Sequence, residues 1–181
     1  SASTTSGTEN NTYGIYVGGN ASTAAATTAP SAIASLTTTL GAGPTANSFT
    51  VDNCLINACA KGIAFMGSVV SNSNSLTFTN NTIGDATAGN ATTVYTQGIS
   101  AQGFTAAVIR GNTFRNIESW VGSSTGSNIV AAIALGNISS VGTGAVIEKN
   151  SISHIHCKNT GTWPSAGIYL SLSTSSNSRV A

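Results

Sequence analysis

Leu76-Thr77-Phe78-Thr79-Asn80-Asn81-Thr82-Ile83 is a phrase that this chain writes four times. The other copies are Phe49-Thr50-Val51-Asp52-Asn53-Cys54-Leu55-Ile56, Ala107-Val108-Ile109-Arg110-Gly111-Asn112-Thr113-Phe114 and Ala145-Val146-Ile147-Glu148-Lys149-Asn150-Ser151-Ile152. In each copy the apolar residues alternate. Phe49/Val51, Leu76/Phe78, Ala107/Ile109 and Ala145/Ile147 face one way, and Asp52, Thr79, Arg110 and Glu148 face the other. A period of two built from Thr, Val, Ile and Phe predicts a strand. A second alternating phrase recurs between the copies: Gly14-Ile15-Tyr16-Val17, Gly62-Ile63-Ala64-Phe65, Gly98-Ile99-Ser100-Ala101, Ala132-Ile133-Ala134-Leu135 and Gly167-Ile168-Tyr169-Leu170. From Gly62 onward its corresponding positions are 36, 34 and 35 residues apart.

Repetition at this period marks a solenoid, in which each repeat completes its core only against a neighbour. Short strands, each followed by a Gly, Asn or Ser corner, suit the coils of a parallel β-helix stacked ~4.8 Å apart with like residues over like. No helical face competes, because the one candidate, residues 24–36, has Thr pairs, Pro30 and no charge. Asn81, Asn112 and Asn150 end successive strands. They are expected to take a left-handed turn there and to link coil to coil through their amides. Cys54 stands in the Asn column. Cys59 is aligned with Ala86, Ile117 and Ile155, and both of these cysteines read as small buried fillers. Three cysteines, an odd number, argue against a disulfide framework.

The phrase of two alternating apolar residues, Asn and a further apolar residue, with Gly-Ile later, resembles the right-handed β-helix superfamily of pectate-lyase-like proteins. It is also similar to the Ser/Thr/Asn-rich β-helix arrays of large bacterial surface and secreted proteins. The resemblance spans roughly residues 13–173. It implies an all-β, right-handed parallel β-helix of about four to five coils, and it says little about activity.

Residues 1–181 are expected to form a single β-helix segment, part of a longer array and without terminal caps. Loop insertions are expected at Gly84–Gln97, Glu118–Ala131 and His156–Ala166, with a long insertion or irregular coil over residues 19–48. No first-phrase strand precedes Gly14, and the last expected strand is Gly167–Leu172. Both ends therefore read as cut, and end-to-end stacking into fibres is one consequence.

The chain has six basic and five acidic residues and a formal net charge of +1. Nucleic-acid binding needs clustered Lys and Arg to displace counterions, so that partner is not expected. Spaced aliphatics argue against disorder, and no apolar run reaches the ~20 residues of a membrane span. No basic and then apolar leader is visible, so an export signal is expected to lie outside the segment.

Lyase relatives of the fold need a carboxylate cluster for calcium and a nearby Arg or Lys. Here Asp52, Thr79, Arg110 and Glu148 share a column, with Lys149 beside the last, so the carboxylates are separated. Arg110 and Glu148 are expected to form an exposed ion pair worth ~0–1 kcal/mol. Hydrolase relatives group two or three Asp residues, and Asp52 and Asp85 are the only two in the chain. His154-Ile155-His156-Cys157 offers two imidazoles on one strand face and no visible third ligand, which reads as a solvated pair. No catalytic residue, metal site or cofactor is therefore expected.

Tyr95, Trp120 and Trp163 fall in insertions at one corner. They read either as a stacking platform for sugar rings or as rings that close their own loops. Val108 and Val146, outward on adjacent coils where Thr50 and Thr77 stand in the others, are a candidate partner surface. The Asn-X-Ser/Thr sequons at Asn10, Asn20, Asn80, Asn90 and Asn137 are what chance yields at this composition. The leading expectation is a structural, adhesin-like segment of a large extracellular bacterial protein, secreted or at the cell surface. Its partners would be neighbouring repeats, copies of itself or surface polysaccharide. A pectate-lyase-type enzyme or polysaccharide-binding module is the alternative, and a phage fibre segment the third reading.

Overall fold

Val51, Phe78, Ile109 and Ile147 are buried beneath Thr50, Thr77, Val108 and Val146, which are half-buried or exposed. This alternation builds the first of two sheets in a computed structural model of the chain. The structure describes residues 12–18, 48–67, 75–89, 92–119, 129–136, 142–158, 164–172 and 177–181. Among them there is no helix, and none therefore that is long and apolar enough to cross a membrane. The segment 24–36, the insertion 19–48 (save Ser48), Trp120 and Trp163 lie outside the described residues.

The strands run in chain order. They are β1 (Tyr13–Gly18), β2 (Phe49–Asp52), β3 (Leu55–Ile56), β4 (Cys59–Met66), β5 (Ser75–Thr79), β6 (Thr82–Ile83) and β7 (Val94–Gln102). Then follow β8 (Ala106–Arg110), β9 (Thr113–Ser119), β10 (Val130–Gly136), β11 (Ala145–Glu148), β12 (Ser151–Cys157), β13 (Ser165–Ser171) and β14 (Arg179–Val180). The five-stranded sheet, in the order β14-β11-β8-β5-β2, collects every copy of the first phrase. The second, curled sheet holds the other nine strands, including the row β1-β4-β7-β10-β13 built from the second phrase.

All pairings between these strands are parallel, and like residues meet like. Ile15, Ile63, Ile99, Ile133 and Ile168 pair successively at Cα. Val17, Phe65, Ala101, Leu135 and Leu170 form the neighbouring file. On the other sheet Val51, Phe78, Ile109, Ile147 and Val180 do the same. A one-residue slip would turn each inward file outward, so the burial of these aliphatics specifies the register. The two sheets close on one apolar cluster that includes Phe65, Phe78, Phe114, Ile63, Ile99 and Ile133.

Four details differ from the expectations. Strand β14 is an additional copy of the first phrase, with Arg179 opposite Val146 and Val180 opposite Ile147. Val94 occupies the Cys59 column, not Ala86, because β7 begins inside the expected Gly84–Gln97 insertion. Every residue of β4, β7 and β10 is buried, so these strands are covered on both faces and not alternately exposed. Finally, the left-handed corner lies one residue before the Asn column. Asn53, Asn80, Gly111 and Lys149 have φ of 54°, 55°, 67° and 55°, and Asn81, Asn112 and Asn150 do not share that conformation.

Candidate functional site

The left-handed corner turns the chain so that the next side chain points inward, and that side chain is the column Asn. The backbone N–H groups of Asn53, Asn80 and Gly111 donate to the carbonyls of Thr79, Arg110 and Glu148 at 3.1, 3.1 and 3.3 Å. Asn81 and Asn112 are then buried, each 1 % exposed, and must be satisfied inside the protein.

They satisfy each other. Asn112 Oδ1 accepts from the Asn81 backbone N–H at 3.0 Å and from Asn81 Nδ2 at 2.9 Å. Asn150 Oδ1 accepts in the same way from the Asn112 N–H and Nδ2, both at 3.0 Å. At the near end the Cys54 N–H donates to Asn81 Oδ1 at 3.0 Å. The remaining amide protons go to strand carbonyls: Asn81 Nδ2 to Val51, Asn112 Nδ2 to Phe78 and Asn150 Nδ2 to Ile109, at 3.0, 2.9 and 2.9 Å. An aspartate has no N–H with which to continue this file, and a serine is too short to span it. The ladder joins levels. It holds no group that takes or gives a proton near neutral pH.

Among the charged groups, three arrangements carry the geometry. On the outer face Arg110 Nη2 lies 2.6 Å from Glu148 Oε1, and Arg179 binds the second oxygen of the same carboxylate. Glu148 is thus more enclosed than an ordinary surface partner, while both guanidinium groups remain largely exposed. At the head of that column Asp52 accepts from Thr79 Oγ1 at 2.6 Å and Asn80 Nδ2 at 2.9 Å, which hold its carboxyl below the usual range.

The second arrangement surrounds Glu118, which the sequence placed at the start of an insertion. It belongs to β9 and its side chain is fully buried. Lys158 Nζ lies 2.6 Å from Oε2, which also accepts from the Gly89 N–H at 2.9 Å, and His154 Nε2 lies 2.6 Å from Oε1. Burial pushes the Glu118 pKa up. The contacts with Lys158, His154 and Gly89 outweigh it, and the net shift is downward. His154 takes this position from a left-handed residue, φ 53°, opposite Asn116 with φ 51°. His154 thus reaches a buried carboxylate while it stays exposed itself, and the ring of His156, also exposed, has its centroid 6.0 Å away.

The third is Lys61, 3 % exposed on β4 between Tyr13 and Gln97 of the flanking strands. Among the described residues no carboxylate pairs with it. Burial lowers its ammonium pKa to about 7. Its neighbour Cys59 is pushed up to about 11 by burial, against a smaller opposing hydrogen bond at Gly14, so the thiol stays protonated and unreactive.

Tyr95 sits within β7 and is 2 % exposed, so it offers no face to a sugar ring. It does not lie in an insertion. Val108 and Val146 pair at Cα on adjacent strands and are half-buried. Among the described residues no three His, Cys, Asp or Glu side chains come together. Composition signalled neither Lys61 nor Glu118. A lone charge within an apolar phrase, as in Cys59-Ala60-Lys61-Gly62-Ile63, was the available cue. No protein family matches this chain, and neither a curated protein nor a solved structure matches it.

Proposed function

We propose that the chain is a structural segment of a right-handed parallel β-helix, about four to five coils long, and that it serves as a rod within an extracellular, surface-displayed bacterial protein. The observation that carries this reading is the register. Five isoleucines pair in one file, and Asn amides bond from level to level beside it. Such a stack spends its polar side chains on cohesion. Several ionisable groups are tied to one another: Arg110 and Arg179 to Glu148, Lys158 and His154 to Glu118. A guanidinium already neutralised by a carboxylate is poorly placed to stabilise the anion formed when a sugar's α-proton is removed.

Incubation with acidic polysaccharides and calcium, read by the ultraviolet absorbance of unsaturated products, tests the reading. No product is expected. A rate abolished by Arg110→Ala or Lys149→Ala would replace the structural reading with the lyase one. Immunogold labelling of the source cells should place the protein on surface projections, and a purely internal label would contradict the assignment.

A further inference from the structure

His154 and His156 stand on β12 with Ile155 between them. Ile155 packs against the apolar cluster, so strand alternation sends both imidazoles to the outer face. Their ring centroids are 6.0 Å apart and their planes meet at 84°. One carboxylate of the neighbouring strand serves both positions. Glu118 of β9 is opposite His156 at Cα, and its Oε1 lies 2.6 Å from His154 Nε2.

That carboxylate decides which ring nitrogen of His154 is open. Its Oε2 is taken by Lys158 Nζ and by the Gly89 N–H, at 2.6 and 2.9 Å. Its Oε1 is buried and left to the imidazole. A neutral imidazole carries one proton and one lone pair, and a facing carboxylate keeps the proton on the nearer nitrogen. Nε2 therefore holds the proton and Nδ1 offers the lone pair. A buried carboxylate behind an imidazole is how proteins orient a metal-binding histidine and raise its basicity.

The spacing of the rings agrees. An imidazole nitrogen binds zinc at about 2.0–2.1 Å, which puts two rings that share an ion about 5–6 Å apart between centres. The observed 6.0 Å lies at the wide end of that range. Cys157 is turned away from the pair, packing against the core cluster.

We infer that His154 Nδ1 and a ring nitrogen of His156 together bind one divalent cation of the zinc, nickel or copper class, with Glu118 as the positioning residue behind His154. Imidazole suits these ions, whereas calcium and magnesium need oxygen ligands. Two protein ligands leave the other coordination positions to water. The site is thus weaker and more open than a structural zinc centre, which takes four protein ligands.

Nickel chloride titrated into the untagged chain in mildly alkaline buffer tests the site, read by calorimetry and by the long-range proton–nitrogen spectrum of the imidazoles. Before metal is added, His154 should show the Nε2–H tautomer. Binding should saturate at one ion per chain and shift or broaden the signals of both rings. His154→Ala and His156→Ala should each abolish saturation with the circular dichroism spectrum unchanged, and Cys157→Ser should bind as the unaltered chain does. Glu118→Gln should weaken binding by about 10–100-fold, as loss of an orienting carboxylate does. It should also relax the tautomer preference of His154. If Glu118→Gln fails to fold, the tautomer in the unaltered chain still decides the role of Glu118. Absence of saturable binding, binding that survives either histidine change, binding lost in Cys157→Ser, or an Nδ1–H tautomer at His154 overturns the proposal.

Discussion

Asn112 gathers hydrogen bonds from both neighbouring levels. Its Oδ1 takes two N–H groups from Asn81, and its Nδ2 reaches Phe78 O and Asn150 Oδ1. Replacing it with Ala strands buried donors and acceptors on both neighbouring levels. Asn112→Ala should therefore cost about 3 kcal/mol or more, read as a lower midpoint in urea unfolding. Lys149 presents the opposite case. It holds the left-handed corner that Asn53, Asn80 and Gly111 fill with residues suited to it. Lys149→Asn should stabilise by about 0.5–1 kcal/mol in the same measurement, because the amide side chain relieves part of that strain. Lys61 sets a pH dependence. Its folded pKa is lowered to about 7, while an unfolded lysine titrates near ~10.4. Between those values the unfolded chain binds the extra proton, so stability rises as pH climbs from about 7 to about 10 and is lowest below 7. Lys61→Met should abolish that slope and raise stability at pH 6 by on the order of a few kcal/mol. A melting temperature of the variant that still climbs across that interval would show that another group is responsible.

At the scale of elements, the second-phrase row packs against β3, β6 and β9 through its glycines. A Cβ on Gly98 would stand 2.6 Å from Ala132 O and 2.7 Å from Phe114 Cδ1. Gly98→Val should therefore destabilise by roughly 2–3 kcal/mol, and circular dichroism melting checks it. Periodicity made these strands legible, because inward aliphatics at spacing two recur in both phrases. The same signal missed β14, where Arg179-Val180 keeps one inward residue of the pattern and follows a Ser-rich stretch. It also placed Tyr95 in a loop, since the run Val94-Tyr95-Thr96-Gln97 carries one residue more than its counterpart Cys59-Ala60-Lys61 and so breaks the alignment. Strands covered on both faces, such as β7, lose the polar alternation that reveals a strand edge. The Asn column was visible as a column, but the left-handed residue was set one place too late. An αL turn before the Asn aims its amide inward, and sequence spacing does not distinguish the two positions.

The whole molecule couples these parts through shared registers. Pairing on the first-phrase sheet and the second-phrase row advances together, so a slip in one would break the Asn file and the Ile file at once. Buried Glu118 links distant segments, with Gly89, His154 and Lys158 all converging on it. Its lowered folded pKa contributes stability that is present above the ordinary glutamate value and is lost as pH falls through the folded one. Glu118→Gln should therefore flatten the acid limb of a pH–melting curve while lowering stability at neutral pH. Sequence repeats made the architecture readable, but not this cluster, whose members lie far apart in the chain. The stacking itself is measured most directly by scalar couplings across hydrogen bonds in nuclear magnetic resonance. The backbone nitrogens of Cys54, Asn81 and Asn112 should couple to the side-chain carbonyl carbons of Asn81, Asn112 and Asn150 respectively. Couplings from those nitrogens to any other carbonyl, in a chain that remains folded, would contradict the account.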